Sequence, residues 1–180
     1  MTIERTPASS FRIKLKKDTK WIRFKTVFAS AYKPEFDTYI DEIQALHKTR
    51  SIRVLGIQSA PSGKTLADAS MKDQAVRSRC VELCMNVVRN RNYLAITMNT
   101  VSSYLNAEYS QFMTGLGVRT ISDRRELVES LFGGAQRMLD RLDTITEIAD
   151  MVIKDTDQAA WSLKTSVTAL EIATARERTV

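Results

Sequence analysis

The first part of the chain alternates between hydrophobic and basic residues. Residues 11–16 read Phe-Arg-Ile-Lys-Leu-Lys, and residues 22–28 read Ile-Arg-Phe-Lys-Thr-Val-Phe. A period of two with aromatic and β-branched residues is typical of a half-buried strand. The pattern therefore predicts a β-hairpin that has one apolar face and one basic face.

The following segment has a helical period and then a short apolar run. Within Glu35–His47 the apolar residues recur every three or four positions, which predicts an amphipathic helix. Ser51–Ile57 is predicted to be a third strand. Together these elements predict a small basic α+β module of ββαβ order over residues 1–58. A linker is predicted at 59–64, where proline and glycine interrupt the pattern.

The remaining residues, 65–180, have the pattern of two long helices. The first is predicted over 65–112, where an apolar stripe advances in steps of three, four or seven without proline or glycine. The second starts near Ser122 and is broken or kinked at Gly133–Gly134. A heptad pattern of about five repeats follows, with a and d residues at Met138, Leu142, Ile145, Ala149, Val152, Thr156, Ala159, Leu163, Ser166 or Val167, Leu170 and Ala173.

These patterns predict a mainly α protein. Six glycines and three prolines are too few for the many tight turns of a β-sandwich or barrel. A long amphipathic helix cannot bury its apolar stripe alone. The two long helices are therefore predicted to form a coiled-coil-like hairpin, and the chain is predicted to form a homo-oligomer.

No membrane association is predicted. The sequence has no apolar stretch of about 18 residues, which a spanning helix requires. Its N-terminus also lacks the hydrophobic core of a signal peptide. The expected location is the cytoplasm, or the host cytoplasm if the protein is viral.

Positive charge is concentrated in the first third of the chain. Residues 1–64 contain 13 Lys and Arg against 6 Asp and Glu, whereas residues 65–180 contain 14 against 15. Such asymmetry favours a polyanionic partner. The residues predicted to contact nucleic acid here are Arg12, Lys14, Lys16, Lys17, Lys20, Trp21, Arg23 and Lys25.

Trp21 is predicted to lie on the charged face of the hairpin, where its ring would stack on a base while the cations bind phosphates. The alternative is a solvated outer face, with Trp21 covering an edge or an interface. A second basic set lies on the first long helix, where it could bind the nucleic-acid backbone or simply face water. It comprises Arg77, Arg79, Arg89 and Arg91.

The second long helix carries an acidic strip. It consists of Asp140, Asp143, Glu147 and Asp150. Carboxylates at this spacing usually form the solvated face of an amphipathic helix. They could also bind a basic protein partner, including the N-terminal module of a neighbouring subunit.

No catalytic, metal or cofactor site is predicted. Gln58–Thr65 ends in Gly-Lys-Thr like a phosphate-binding loop, but Gln58 stands where the motif requires glycine, and Pro61 removes a backbone donor. Nucleotide hydrolysis at Gly63-Lys64-Thr65 is therefore not expected. Cys80 and Cys84 lie on the apolar stripe, where cysteine packs as a small hydrophobe rather than binding a metal.

The helical region has the layout of a known family. A basic helix carries Arg89-Asn90-Arg91-Asn92-Tyr93 followed by Tyr104 and Tyr109. After a loop, a long helix carries Trp161-Ser162-Leu163-Lys164. Over residues 70–178 this order resembles the UvsY-type recombination mediators of tailed bacteriophages.

The resemblance implies an oligomeric accessory protein of recombination that binds single-stranded DNA and has no catalytic activity. It would place Arg89, Arg91 and Lys164 at the DNA. The leading hypothesis is accordingly a non-enzymatic protein, of cellular or phage origin, that binds nucleic acid during recombination, replication or packaging. The alternative is a structural or assembly protein, such as a virion component, scaffold or adaptor, whose basic and acidic faces pair between subunits.

Overall fold

The computed structural model describes residues 6–31, 33–51 and 62–177, and this part of the chain contains helices and no strand. The mainly α fold class is therefore confirmed. In chain order the helices are α1 (Pro7–Lys14), a 3-10 turn (Leu15–Lys17), α2 (Thr19–Ala31), α3 (Phe36–Lys48), α4 (Gly63–Glu108), α5 (Ser110–Gly115), α6 (Ile121–Leu131) and α7 (Gly133–Glu177).

The predicted β-hairpin is wrong, because its residues form α1, the 3-10 turn and α2. The alternation depended on Ile13 and Ile22, and both side chains are about half exposed. The side chains that are buried instead recur at helical spacing. They are Phe11, Leu15, Trp21, Phe24, Val27 and Ala31. The ββαβ module is corrected accordingly, although most of its third strand, Ser51–Ile57, lies outside the described residues.

Two capping residues fix where the N-terminal helices begin. The Thr6 hydroxyl accepts a hydrogen bond from the Ser9 backbone N–H at the start of α1. At the start of α2, the Asp18 carboxylate accepts one from the backbone N–H of Trp21 at 2.7 Å. Capping satisfies donors that the first helical turn leaves without partners. These caps favour helices over the strands that the alternation suggested.

The chain divides into two compact units. Unit 1 comprises Met1–Pro34 and Val87–Thr144, and unit 2 comprises Glu35–Asn86 and Ile145–Val180. Helices α4 and α7 each contribute residues to both units. The predicted linear division into 1–58, 59–64 and 65–180 stays a prediction, since most of the linker lies outside the described residues.

The apolar seams of α4 and α7 form much of the core of each unit. Ile145, Ala149, Val152 and Thr156 are buried in unit 2, and Met138 and Leu142 in unit 1, so the heptad prediction is confirmed for these residues. Ala159 and Leu163 are half-buried, whereas Ser166 and Val167 are exposed. The side chains of Leu170 and Ala173 lie outside the described residues.

In unit 2 the two long helices run antiparallel. The Arg77 guanidinium pairs with Asp157 at 2.6 Å. Seven residues further along α4 and seven residues back along α7, the Cys84 thiol donates to Asp150 at 3.9 Å. This is the pairing expected of a helical hairpin. In unit 1, Arg91 pairs with Asp143 at 2.8 Å.

Glycines lie at two interruptions of the helices, and the one at Gly133–Gly134 is where the sequence predicts a break. Gly117 has a φ of +87°, which glycine adopts without strain, and it follows the short helix α5. Between α6 and α7 the regular helix stops at Phe132, directly before Gly133. Helix α6 begins next to the start predicted near Ser122, and its N-cap is Thr120, whose hydroxyl accepts from the Asp123 N–H at 3.0 Å.

A polar residue in the unit 2 seam has a buried partner. Thr156 lies in the core, and its hydroxyl lies 3.4 Å from the guanidinium of Arg50, which is also buried. Arg50 additionally pairs with Asp155 at 2.7 Å, and Asp155 lies 2.8 Å from the His47 ring. Partnering of this kind is what allows a charged side chain to be buried.

Replacing Ile145 with alanine should destabilise the chain by about 2–5 kcal/mol, since it removes apolar volume from a fully buried position. Urea unfolding followed by circular dichroism would measure this change. Met151 lies on the same helix in the same unit and is exposed. Met151→Ala should therefore shift stability by only about 0.5 kcal/mol. Equal effects of the two substitutions would contradict the assignment of Ile145 to the core.

Candidate nucleic-acid interface

Helices α1 and α2 and the turn between them form a strongly cationic segment of unit 1. Residues 6–31 contain seven Lys and Arg and a single acid, Asp18, so their formal charge of +6 equals that of the whole chain. All seven cationic side chains are exposed: Arg12, Lys14, Lys16, Lys17, Lys20, Arg23 and Lys25. We call them the N-terminal cations.

The N-terminal cations have no carboxylate partner among the residues that the structure describes. Arg12 donates to the backbone carbonyl of Ser130 at 3.3 Å. Three of the lysines lie near aromatic rings, and the closest is Lys20, whose Nζ is 3.9 Å from the centroid of Tyr104. Their positive charge is therefore not neutralised within this part of the chain.

The prediction that Trp21 lies on the charged face is wrong. Its side chain is only 5% exposed, and its ring stacks on Phe24 with centroids 5.3 Å apart. It also meets the edge of Phe132 at 5.6 Å. Because α2 is a helix, Trp21 shares the buried face with Phe24 three residues later. Trp21 therefore holds α2 in unit 1 and is not open for stacking on a base.

The single acid of the cationic segment joins α2 to α4. The carboxylate of Asp18 caps α2, and its Oδ2 accepts from the hydroxyls of Tyr104 at 2.8 Å and Tyr109 at 2.7 Å. Burial raises the pKa of Asp18, but the hydrogen bonds from the Trp21 N–H and the two hydroxyls outweigh it, so the pKa lies below its usual range. The hydrogen bond to Asp18 in turn raises the pKa of Tyr104.

The arginines of α4 differ from the N-terminal cations because three of them form ion pairs. Arg77 pairs with Asp157 and Arg91 with Asp143, each through two nitrogens. Arg79 pairs with carboxylates of α3 and of its own helix, at 2.7 and 2.8 Å. Arg89 is exposed and has no ion pair in the described part of the chain. Of the second basic set, Arg89 alone is thus placed like the N-terminal cations.

The acidic strip is partly used within the chain. Asp143 accepts from Arg91 and Asp150 from Cys84, while Asp140 accepts from the Gln136 side chain. Glu147 is exposed. A protein partner at this strip stays a prediction, and two of its four carboxylates already bind α4.

A seven-residue spacing in the sequence marks these internal pairs. Asp143, Asp150 and Asp157 each follow a buried residue of the heptad seam. Residues beside the seam of a helical hairpin face the partner helix, where charges of opposite sign pair. The same spacing separates Arg77, Cys84 and Arg91 on α4. Reading the two heptad series together would have identified these arginines as structural.

The other residues singled out in the sequence lie in ordinary structural surroundings. Gly63, Lys64 and Thr65 form the first turn of α4, where the Ser62 hydroxyl accepts from the Thr65 N–H. Cys80 is buried in the core, and burial raises the pKa of its thiol. Among the described residues, no three His, Cys, Asp or Glu side chains are placed to hold a metal ion. In the same part of the chain, no helix is long and apolar enough to span a membrane.

Comparison of the chain with protein-family models, with curated proteins and with solved structures returned no match. The similarity in layout to UvsY-type mediators therefore stays a prediction.

Asp18→Asn should reduce stability at neutral pH and change its dependence on acid. A carboxylate whose pKa is lowered by folding contributes stability above its unfolded pKa, and this contribution is lost as the pH falls through the lower folded value. Charge-assisted hydrogen bonds contribute about 1.5–3 kcal/mol each. The variant should be less stable at pH 6, and the difference should shrink below about pH 4.

Urea unfolding at a series of pH values between 2.5 and 6 measures this effect. Asp41→Asn is the control, because Asp41 is an exposed aspartate on α3. A constant difference between Asp18→Asn and the parent over the whole series would mean that ionisation of Asp18 does not stabilise unit 1.

Proposed function

We propose that the chain is a non-enzymatic nucleic-acid-binding protein whose N-terminal cations contact the phosphate backbone. The observation that carries this proposal is the contrast between two sets of cations. Seven exposed Lys and Arg in residues 12–25 have no carboxylate partner in the described part of the chain, whereas Arg77, Arg79 and Arg91 have one.

The electrostatics of the N-terminal cations suit a polyanion. Seven like charges on one short segment repel one another, and a phosphate backbone removes that repulsion when it binds. Counterions released from the nucleic acid then add a favourable, salt-dependent term. Phosphates carry no sequence information, so this mode of binding is expected to be independent of base sequence.

The packing of α1 and α2 supports the same proposal. Phe11, Trp21 and Phe24 bury one side of this segment, and Asp18 fastens it to Tyr104 and Tyr109. The cations are thus mounted on helices whose positions are fixed, which lowers the entropy lost on binding. An accessory role in recombination, replication or packaging is the part of the proposal that rests on the UvsY-type layout.

The test is a charge reversal on the N-terminal cations. The triple variant Lys16→Glu, Lys17→Glu, Arg23→Glu should bind a fluorescent single-stranded 30-mer at least about tenfold more weakly than the parent. Each phosphate contact that is lost should also reduce the slope of log K against log salt by about 0.7. Fluorescence anisotropy between 50 and 300 mM salt gives both quantities.

A matched triple reversal separates a site from a general charge effect. Lys64, Lys72 and Lys154 are exposed, lie outside the N-terminal segment and have no ion pair in the described part of the chain. Changing all three to Glu alters the net charge by the same amount. If both triple variants lose affinity equally, the binding is non-specific electrostatic attraction and not a site formed by the N-terminal cations. If the parent does not bind the 30-mer at 50 mM salt, the proposal is wrong.

A second candidate function, assembly through self-association, is favoured by the exposed end of α7. Trp161 is 69% exposed, and Ile172 lies on the same helix and is half exposed. The two residues are eleven positions apart, which is close to three helical turns, so they lie on one face. Large exposed apolar residues on a shared face are typical of protein contacts. A second copy of this chain is the partner we propose.

Replacing both Trp161 and Ile172 with alanine should lower the molecular mass in solution if this face joins copies of the chain. Light scattering coupled to size exclusion, over a range of protein concentrations, measures the mass. Met71→Ala with Met85→Ala is the control, because both methionines are exposed on α4. A parent that stays monomeric at all concentrations would rule out self-association through this face.

A further inference from the structure

A groove in unit 1 lies between α2 and α4, beside the N-terminal cations. Its volume is about 330 Å³. Lys20, Arg23 and Phe24 line it on α2, and Tyr93, Ile96 and Tyr104 are among the residues that line it on α4. No carboxylate is among its lining residues. The groove therefore combines an apolar floor with two cations. It has no negatively charged side chain that would repel an anion.

The aromatic ring that is open in this groove is that of Tyr93. The Tyr93 side chain is 54% exposed, and Ile96 beside it is 66% exposed. Tyr104 is already engaged, because Lys20 lies 3.9 Å from its ring centroid and its hydroxyl donates to Asp18. Tyr93 thus has the free ring surface that Trp21 lacks.

Residues along α4 extend the same arrangement. Arg89 lies four positions before Tyr93, and Thr97 four positions after it, so the three share one face of the helix. Arg89 is exposed and has no ion pair in the described part of the chain. Cations therefore lie on α2 across the groove and on α4 one turn from the ring, with an exposed aromatic surface near both.

We propose that this groove takes unpaired bases of a single-stranded nucleic acid, with Tyr93 stacking on a base and Lys20, Arg23 and Arg89 binding the adjoining phosphates. Stacking on aromatic side chains combined with a cationic groove is how proteins bind single strands without reading their sequence. A duplex keeps its base faces inside the stack, so it cannot use Tyr93. The volume lies near the lower end of the range of about 300–1,000 Å³ for small-ligand sites, which suits one or two ring systems.

This inference rests on the proposed nucleic-acid function and adds selectivity for single strands. The charge of the groove favours this occupant over an apolar peptide, because Lys20 and Arg23 lie in its lining without a carboxylate partner in the described part of the chain. The bases would occupy the apolar floor, and the phosphates would lie against the cations. Phosphate binding alone would not require an exposed tyrosine.

The experiment compares Tyr93→Ala and Tyr93→Phe with the parent on three probes of equal length. These are oligothymidine, an abasic strand with the same backbone, and a DNA duplex. Tyr93→Ala should weaken binding of oligothymidine about fivefold or more, while Tyr93→Phe keeps parent affinity because it retains the ring. Neither variant should change the affinity for the abasic strand or the duplex, nor the salt slope.

Ile121→Ala is the matched control, since Ile121 is an exposed apolar residue of unit 1 outside the groove. It should leave the affinity for all three probes unchanged. If Tyr93→Ala leaves the affinity for oligothymidine unchanged, or lowers the affinity for the duplex equally, the groove does not bind bases. Either result is compatible with backbone binding by the N-terminal cations. If the parent binds none of the probes at 50 mM salt, the proposed function and the groove are both overturned.

Discussion

Burial of the apolar seams of α4 and α7 is the constraint on which each unit depends. These helices are 46 and 45 residues long, and neither can hide its seam from water alone. In unit 2 the seams contribute buried residues such as Leu83 and Ile145, and α3 adds Ile43. In unit 1 they contribute Leu94 and Leu142, and α2 adds Phe24. The core of each unit therefore consists of the seam residues of the long helices together with buried side chains of the short helices.

The seams also determine which charges are paired. Aspartates that directly follow seam residues face α4, so Asp143 and Asp157 receive Arg91 and Arg77. Exposed pairs of this kind contribute little to stability. Their effect is rather to remove these arginines from the set that can bind a ligand. The N-terminal cations on α1, α2 and the turn between them have no such pairing within the described part of the chain.

The sequence was sufficient for the long helices and insufficient for the N-terminal segment. A heptad repeat extends over many turns, so the seam residues between Met138 and Thr156 could be placed in the core from spacing alone. Residues 11–28 offered only short alternating runs, in which Ile13 and Ile22 suggested an apolar face that the helices expose. The caps at Thr6 and Asp18 were the local signals for helices.

The candidate site was predictable in its charge but not in its aromatic component. The excess of Lys and Arg in residues 12–25 follows from composition. It is the same whether these residues are predicted to form strands or helices. The stacking residue could not be predicted from composition, because a change from strand to helix moves Trp21 from the charged face into the core. Tyr93 lies 72 residues after Trp21 in the chain, and only the packing of α2 against α4 brings it to Lys20 and Arg23.

The position of the single acid supports the proposal that the N-terminal cations bind an anionic ligand. A lysine in the first turn of a helix opposes the helix dipole, and α2 begins with Thr19 and Lys20 and has no acid in that turn. At the N-cap, the negative charge of Asp18 offsets the unfavourable effect of Lys20 on the helix dipole. Its second carboxylate oxygen accepts hydrogen bonds from the hydroxyls of Tyr104 and Tyr109. The one carboxylate of the segment thus serves the fold, and none is left to neutralise the seven cations. Natural proteins depart from the local rules of stability mainly at functional sites. Here the departure is Lys20 in the first turn of α2, and Lys20 lines the same groove as Tyr93.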